Sequence, residues 1–334
     1  MSTVFRHANG QLPNVLAIAY TFLGWPVGIW MLTQPSFALN AVGVLLVAHT
    51  LVFSGYLIHE AAHNAIFATP GANDRLGIAL AWINGGCLAH YAGLKEKHLR
   101  HHADRLDVVT FDYRAALDKA PRWVVSLVLA LEWAYVPVIE LVMRGFMITA
   151  PFVDGTVGDR IRIVTIIAVR LALFAALALI SVKAVILYML AYFIFLTVLR
   201  FMDAFQHTYD VFPTRSLQRA PAELRRDRQY EYENTYSNLV SVGIPWLNIL
   251  VLNFPYHNAH HTKPVEPWYK LPALHRKLYG ENDRQVMPCR ALFASYHKHR
   301  VARVLAKDYG AVAAEGDRAG GFIGAVGVSF LTAV

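Results

Sequence analysis

Apolar residues come in long runs here, without the strict alternation or single apolar stripe of a soluble domain. Residues 14–32 form the first run, with Trp25, Pro26 and Trp30 inside it and no small-residue cleavage site, which predicts a spanning helix rather than a removed signal peptide. An uncharged turn at Gln34, Pro35 and Ser36 leads to a second run, 37–58, whose one polar ring is His49. Residues 161–182 and 184–206 form a second pair, with Lys183 between them. Arg170 inside the third run is costly in a bilayer, so it is expected to snorkel or find a partner. The pattern predicts four spans in two transmembrane hairpins.

The remaining apolar stretches are interrupted. A turn cluster at Pro70 to Asp74 precedes 76–93, which is broken by glycine and holds Asn84 and His90, so a re-entrant or interfacial helix is expected. Residues 123–143 carry Glu132 and Glu140 on one helical face and are expected to lie at the membrane surface, because a carboxylate at the bilayer centre is expensive. Residues 238–256, with Pro245, Asn248 and Asn253, also read as interfacial. Residues 1–318 are expected to form one domain. The Gly-rich stretch 319–334 is shorter than the ~20 residues a span needs, and is expected to touch the membrane or be disordered. The fold class is thus all-α integral membrane, with four transmembrane helices, interfacial helices and a cytoplasmic His-rich cap.

Composition fits this reading: 56% of the 334 residues are apolar, and the mean hydropathy is +0.36. Lys and Arg concentrate in 59–160 and 207–318, which places both stretches on the cytoplasmic side. The net charge of +8 suits an anionic leaflet. No nucleic acid is expected as partner, since the basic residues flank apolar runs and form no stripe. Cys87 and Cys289 are too far apart in sequence to suggest a framework or redox pair. Trp82, Trp133, Trp246 and Trp268 read as interfacial belts. His49, His90, His275, His297 and His299 read as structural or solvated.

The chemistry lies in three histidine clusters. His59 and His63 are one helical turn apart, where the second run ends. His98, His101 and His102, and again His257, His260 and His261, have i, i+3, i+4 spacing, so each set shares a helix face. His207, just past the fourth run, is a ninth candidate. Nine imidazoles exceed one tetrahedral site and suit two metals in one cavity, although the ligands alone do not select the metal. Glu60, Asn64, Asp104, Asp107, Asp112, Asn253 and Asn258 are available to fix the ring tautomers, Asp107 and Asp112 foremost. His59-Glu60-Ala61-Ala62-His63 also fits the zinc membrane protease pattern HExxH with Glu60 as general base, but that reading leaves the other two clusters unused.

An HxxxH box followed by two HxxHH boxes, the last beyond a second hairpin, resembles the membrane fatty acid desaturase and hydroxylase superfamily. The resemblance runs from about residue 14 to 280. It implies two Fe ions held by His59, His63, His98, His101, His102, His257, His260 and His261, with His207 resembling that family's isolated ligand. It further implies O2 as co-substrate, a long-chain fatty acid or acyl thioester as substrate, and an external electron donor of ferredoxin or rubredoxin type with its reductase. Asp203 departs from the pattern, standing where acyl-CoA desaturases carry an Asn that holds a metal-bound water. Asp203 and Glu60 are therefore the candidate catalytic carboxylates. The third box begins with His rather than Gln, and there is no haem-binding His-Pro-Gly-Gly segment, unlike the cytochrome-fused front-end desaturases. Tyr256 to His261 with Pro267-Trp268-Tyr269-Lys270-Leu271-Pro272 looks like a bacterial free-standing subgroup that includes terminal-alkene-forming fatty acid decarboxylases. The resemblance places the enzyme in the bacterial inner membrane with its site facing the cytoplasm. Fatty acid desaturation is the first expectation, alkene-forming decarboxylation the second, and alkane or carotenoid-type hydroxylation the third.

Overall fold

The computed structural model describes residues 4–213, 219–280 and 284–333. Helix α1 (Gln11–Thr33) packs along α2 (Phe37–Ala62) through glycines, and a Cβ on Gly28 would meet Val47 at 2.7 Å. The turn between them is fastened by Asn40, whose Nδ2 donates to Met31 O and Gln34 O at 2.9 Å each. Helix α3 (Pro70–Asn84) begins inside the stretch expected to be a turn, because Thr69 caps it and Pro70 suits a first helical position. It leads to α4 (Tyr91–Asp104) and strand β1 (Asp107–Val109).

Helix α5 (Tyr113–Asp118) is followed by α6 (Arg122–Trp133) and α7 (Val138–Val153). The single surface helix expected over 123–143 is thus two helices. Pro137 and the left-handed Tyr135 (φ +62°) interrupt it. Glu132 and Glu140 turn inward and meet the buried Arg200 at 2.6 and 3.4 Å, so both carboxylates face one cation within the protein.

Helices α8 (Val157–Ile180) and α9 (Val182–Ala204) complete the four helices that, among the described residues, are long and apolar enough to cross a membrane. Lys183, at the α8–α9 turn, donates to Gln34 O at 2.5 Å and to Asn40 Oδ1 at 2.7 Å. The two turns therefore sit together, and α2 and α9 both run from them toward the histidines. Leu171, Leu173 and Leu179 of α8 are exposed, as expected of a surface facing lipid. Arg170 finds its partner in Trp82 O (3.0 Å), and His49 bridges Tyr20 Oη and Leu250 O.

The rest covers the inner ends of these helices. Strand β2 (Val211–Pro213) pairs parallel with β1. Short helices α10 (Arg228–Glu233), α11 (His257–Thr262), α12 (Leu271–Tyr279), α13 (Cys289–Lys298) and α14 (Ala302–Leu305) follow, with a 3-10 segment at Pro245–Val251. Residues 319–333 form no tail: Phe322 and Leu331 are fully buried, and the segment threads between α7 and the histidine layer. Its apolar side chains fill space that the helices leave open. Trp268 likewise leaves the expected interfacial belt, being 5% exposed, and its indole donates to Asn14. His275, expected in a solvated patch, is buried against Tyr256.

Candidate metal centre

Helical spacing brings all nine histidines together. His59 lies in the last turn of α2 and His63 just beyond it; α4 supplies His98, His101 and His102; His207 follows α9; α11 supplies His257, His260 and His261. Their ligand atoms fall into two groups, each with its atoms within 4.8 Å of one another. The first comprises His59, His63, His98, His102 and His260, the second His101, His207, His257 and His261.

The spacing within the groups is what metal ions require. In the second group the Nε2 atoms of His207, His257 and His261 form a triangle with sides of 3.0, 3.1 and 3.1 Å. In the first, Nε2 separations run 2.7 Å (His63 to His98), 3.2 Å (His98 to His102), 3.1 Å (His102 to His260) and 3.0 Å (His260 to His59). Two nitrogens each ~2.1 Å from one ion and at right angles lie about 3 Å apart. Neutral imidazoles whose outer nitrogen carries the proton would turn bare lone pairs on one another at this distance. A cation relieves that repulsion, so the residues fit a pair of metals.

Several rings are held from outside. Glu231 Oε1 lies 2.9 Å from His261 Nδ1, while its Oε2 accepts from Arg105 at 3.0 Å. Asp107 Oδ1 stands 3.4 Å from His101 Nδ1 and 3.3 Å from His207 Nδ1, placed there by the pairing of β1 with β2. His101 Nδ1 also meets Leu106 O at 2.9 Å. Glu60 is 3.3 Å from His59 Nδ1 and accepts from the Trp268 backbone N–H at 3.0 Å. Such partners turn Nε2 inward by fixing the proton on Nδ1.

Burial favours the neutral, ligating form. It pulls His63 and His207 down to about 3 and His101 to about 4, and it lowers His98, His102, His257, His260 and His261 well below the ordinary range, with the neighbouring imidazoles adding to the shift in most of them. Burial opposes ionisation of Glu231, yet the bonds from His261 and Arg105 hold it below its usual range. Lys97 is the one ammonium among the residues lining the cavity beside the metals. Burial lowers it to about 7 against the charges of Asp203 and Asp107.

The fatty acid desaturase family model matches residues 35–293, which span all three boxes and His207. The chain belongs to the fatty acid desaturase family. A search of the curated proteins returned no match. Membership, the four apolar helices and the grouped histidines point to an integral membrane, desaturase-like oxidoreductase whose histidines can bind metal.

In this family member Asp203 lines the cavity beside the histidines, and its Oδ2 has no hydrogen-bond partner among the described residues. Gln206, in the same wall, has an equally unpartnered Nε2. Glu60 faces the outer nitrogen of His59 and Trp268, a position for orienting a ring. Of the other proposed ring partners only Asp107 reaches a ring. Asp112 caps α5 through Ala115 N, Asp104 binds Arg219 and Ala220 N, and Asn64 accepts from Lys95. Asn253 donates to Trp268 O, and Asn258 ties Ser237 to Thr235. Sequence reasoning missed Glu231, hidden in a run of charges, and missed Lys97, although Lys97 immediately precedes the second box.

Proposed function

We propose that this protein is an O2-dependent di-iron desaturase that introduces a C=C bond into a long-chain fatty acyl substrate. The observation that carries the reading is the division of nine imidazoles into two groups, with α4 and α11 contributing to both. The first group would hold one iron and the second the other. Bound there, the irons would supply O2 activation and hydrogen removal from an unactivated C–H bond, using two electrons from an external ferredoxin- or rubredoxin-type donor and its reductase. The protein's own part is positional. Asp107, Glu231 and Glu60 orient rings. Phe254 and Val108 line the metal cavity and keep it poor in water. Asp203 and Gln206 offer unpartnered polar atoms there that can hold a proton or a water at the reacting end of the chain. The basic stretches put the centre on the cytoplasmic face of a bacterial inner membrane.

Lys97 favours a second reading. An ammonium in the metal cavity suits a free carboxylate and would keep the carboxyl end of a fatty acid beside the irons. Oxidation there yields decarboxylation: R-CH2-CH2-COOH, O2, two electrons and two protons give R-CH=CH2, CO2 and two waters. Desaturation consumes the same O2, electrons and protons and leaves chain length unchanged.

Gas chromatography with mass spectrometry separates the two. Cells expressing the chain or its His101→Ala variant are fed saturated fatty acids, and lipids and headspace are analysed. Unsaturated chains of unchanged length, dependent on His101, support desaturation. Terminal alkenes one carbon shorter support decarboxylation. Neither product, in cells whose protein carries metal, refutes both.

A further inference from the structure

Residues 328–333 have no regular secondary structure, yet Ser329, Phe330, Leu331, Thr332 and Ala333 are all buried. Val328 and Phe330 line the metal cavity, and the Phe330 ring lies 5.7 Å from that of His59 and 5.8 Å from that of His98. Three residues later, Ala333 lines a different cavity of about 470 Å³. That cavity opens between the residues before α4 and the end of α7, with Gly93, Met147 and Ala150 in its wall and Arg162 at its edge. Three residues reach at most ~11 Å. The segment therefore runs from the wall of one cavity to the wall of the other.

Its contacts are those of an occupant. Lys97 Nζ donates to Ser329 O at 2.9 Å and to Thr332 O at 2.8 Å, so two segment carbonyls take the lysine's hydrogens inside the cavity. Thr332 Oγ1 accepts from Thr110 Oγ1 at 2.9 Å, and the Ala333 N–H faces Met147 Sδ. Leu331 lies over Gly55, where a Cβ would stand 3.5 Å from its Cδ1. The segment is entered through Gly324 and Gly327, both left-handed, at φ +82° and +75°. A Cβ on Gly324 would come within 2.8 Å of the Ala204 carbonyl oxygen, so that seat is specific to glycine. The outer cavity lies level with the start of α8, at the same end of the spans as the metals, where an acyl chain leaving the bilayer would arrive.

We propose that residues 328–333 occupy the acyl channel of this enzyme, and that a long-chain acyl substrate reaches the metals by displacing them. The proposal rests on the fatty acyl reading above. Exchange of one apolar occupant for another keeps the channel walls dry, so displacement is not opposed by exposing them to water. Under the decarboxylation reading, the two carbonyls on Lys97 would be exchanged for the carboxylate oxygens of the substrate.

The Thr110 and Thr332 hydroxyls touch, so cysteines in their places can bridge with little movement. The Thr110→Cys/Thr332→Cys chain in lipid nanodiscs, locked with diamide or opened with a reductant, is exposed to a diazirine-bearing palmitate, and the labelled residues are mapped by mass spectrometry. In the reduced form, alkylation of Cys at 332 is timed with and without palmitate. The expected result is labelling at Met147, Gly93 or Phe254 in the reduced form, suppressed at least tenfold by the lock and competed by plain palmitate, with palmitate speeding alkylation at 332. Equal saturable labelling in locked and open forms overturns the proposal and leaves the proposed function standing. No saturable labelling in any form, wild type included, overturns both.

Discussion

Glu231→Gln tests how far the metal centre depends on residues outside it. The substitution keeps size and shape but removes the charge that holds His261 Nδ1 at 2.9 Å and Arg105 Nε at 3.0 Å. One amide oxygen remains as acceptor where two carboxylate oxygens served two donors, and the amide NH2 faces a donor. Loss of an outer carboxylate partner typically costs 10- to 100-fold in metal affinity, or about 1.4–2.8 kcal/mol. That range agrees with the ~1.5–3 kcal/mol of a hydrogen bond to a charged group. The loss should fall on the ion held by His101, His207, His257 and His261. The ion held by His59, His63, His98, His102 and His260 should be much less affected. Iron per protein, measured by mass spectrometry of the metal against a graded chelator, should show one of two binding steps moved to tenfold or more weaker chelation. Two unmoved steps would refute the assignment of Glu231 as a ring holder. Two equally moved steps would show instead that the substitution damages the fold.

Arg200→Met leaves Glu132 and Glu140 buried without their cation, so it should cost about 3–5 kcal/mol, visible as a lower melting temperature that Glu132→Gln and Glu140→Gln partly restore; a melt like the wild type refutes the buried ion pair. Because burial holds the box imidazoles below the ordinary 6.5, the unfolded chain binds more protons than the folded one between about pH 4 and 6.5. Metal-free protein should therefore melt lower at pH 5 than at pH 7.5, and equal or reversed melting temperatures would contradict that. Under the decarboxylation reading, Lys97→Met should raise KM for free fatty acids at least ~10-fold while sparing their methyl esters, the loss of one charge-assisted bond; an unchanged KM for free acids removes the lysine from head-group recognition. Asp203→Asn should alter turnover or product ratio without loss of iron, and wild-type turnover and products would show that its departure from the family pattern is neutral.

What the sequence made legible was local. The spans and boxes depend on runs of ~20 residues and on i, i+3, i+4 spacing, and both survive folding unchanged. Long-range placement was not legible. Glu231 reaches His261 only because α10 folds over α11, and nothing in a run of charged residues marks one of them as buried. Residues 319–333 carry no periodicity, so their apolar content read as tail; they are buried because a groove of matching length lies between α7 and α4. The break between α6 and α7 was signalled by Pro137, but the run of apolar residues around it outweighed that signal. The inward turn of Glu132 and Glu140 depended on Arg200, which reads in sequence as one more charge near the end of a span.

Helices α4 and α11 each divide their imidazoles between the two groups: His98 and His102 against His101, and His260 against His257 and His261. Each helix is therefore a spacer of fixed pitch, and the separation of the two groups of imidazoles follows from peptide geometry more than from side-chain reach. One residue inserted between His98 and His101 would turn everything after it by ~100° and dismantle both groups together. Exchanges at Val108, Phe254 or Phe330 reshape the cavity wall and leave that spacing alone. Such a division leaves the shape of the cavity and the spacing of the two imidazole groups to different residues.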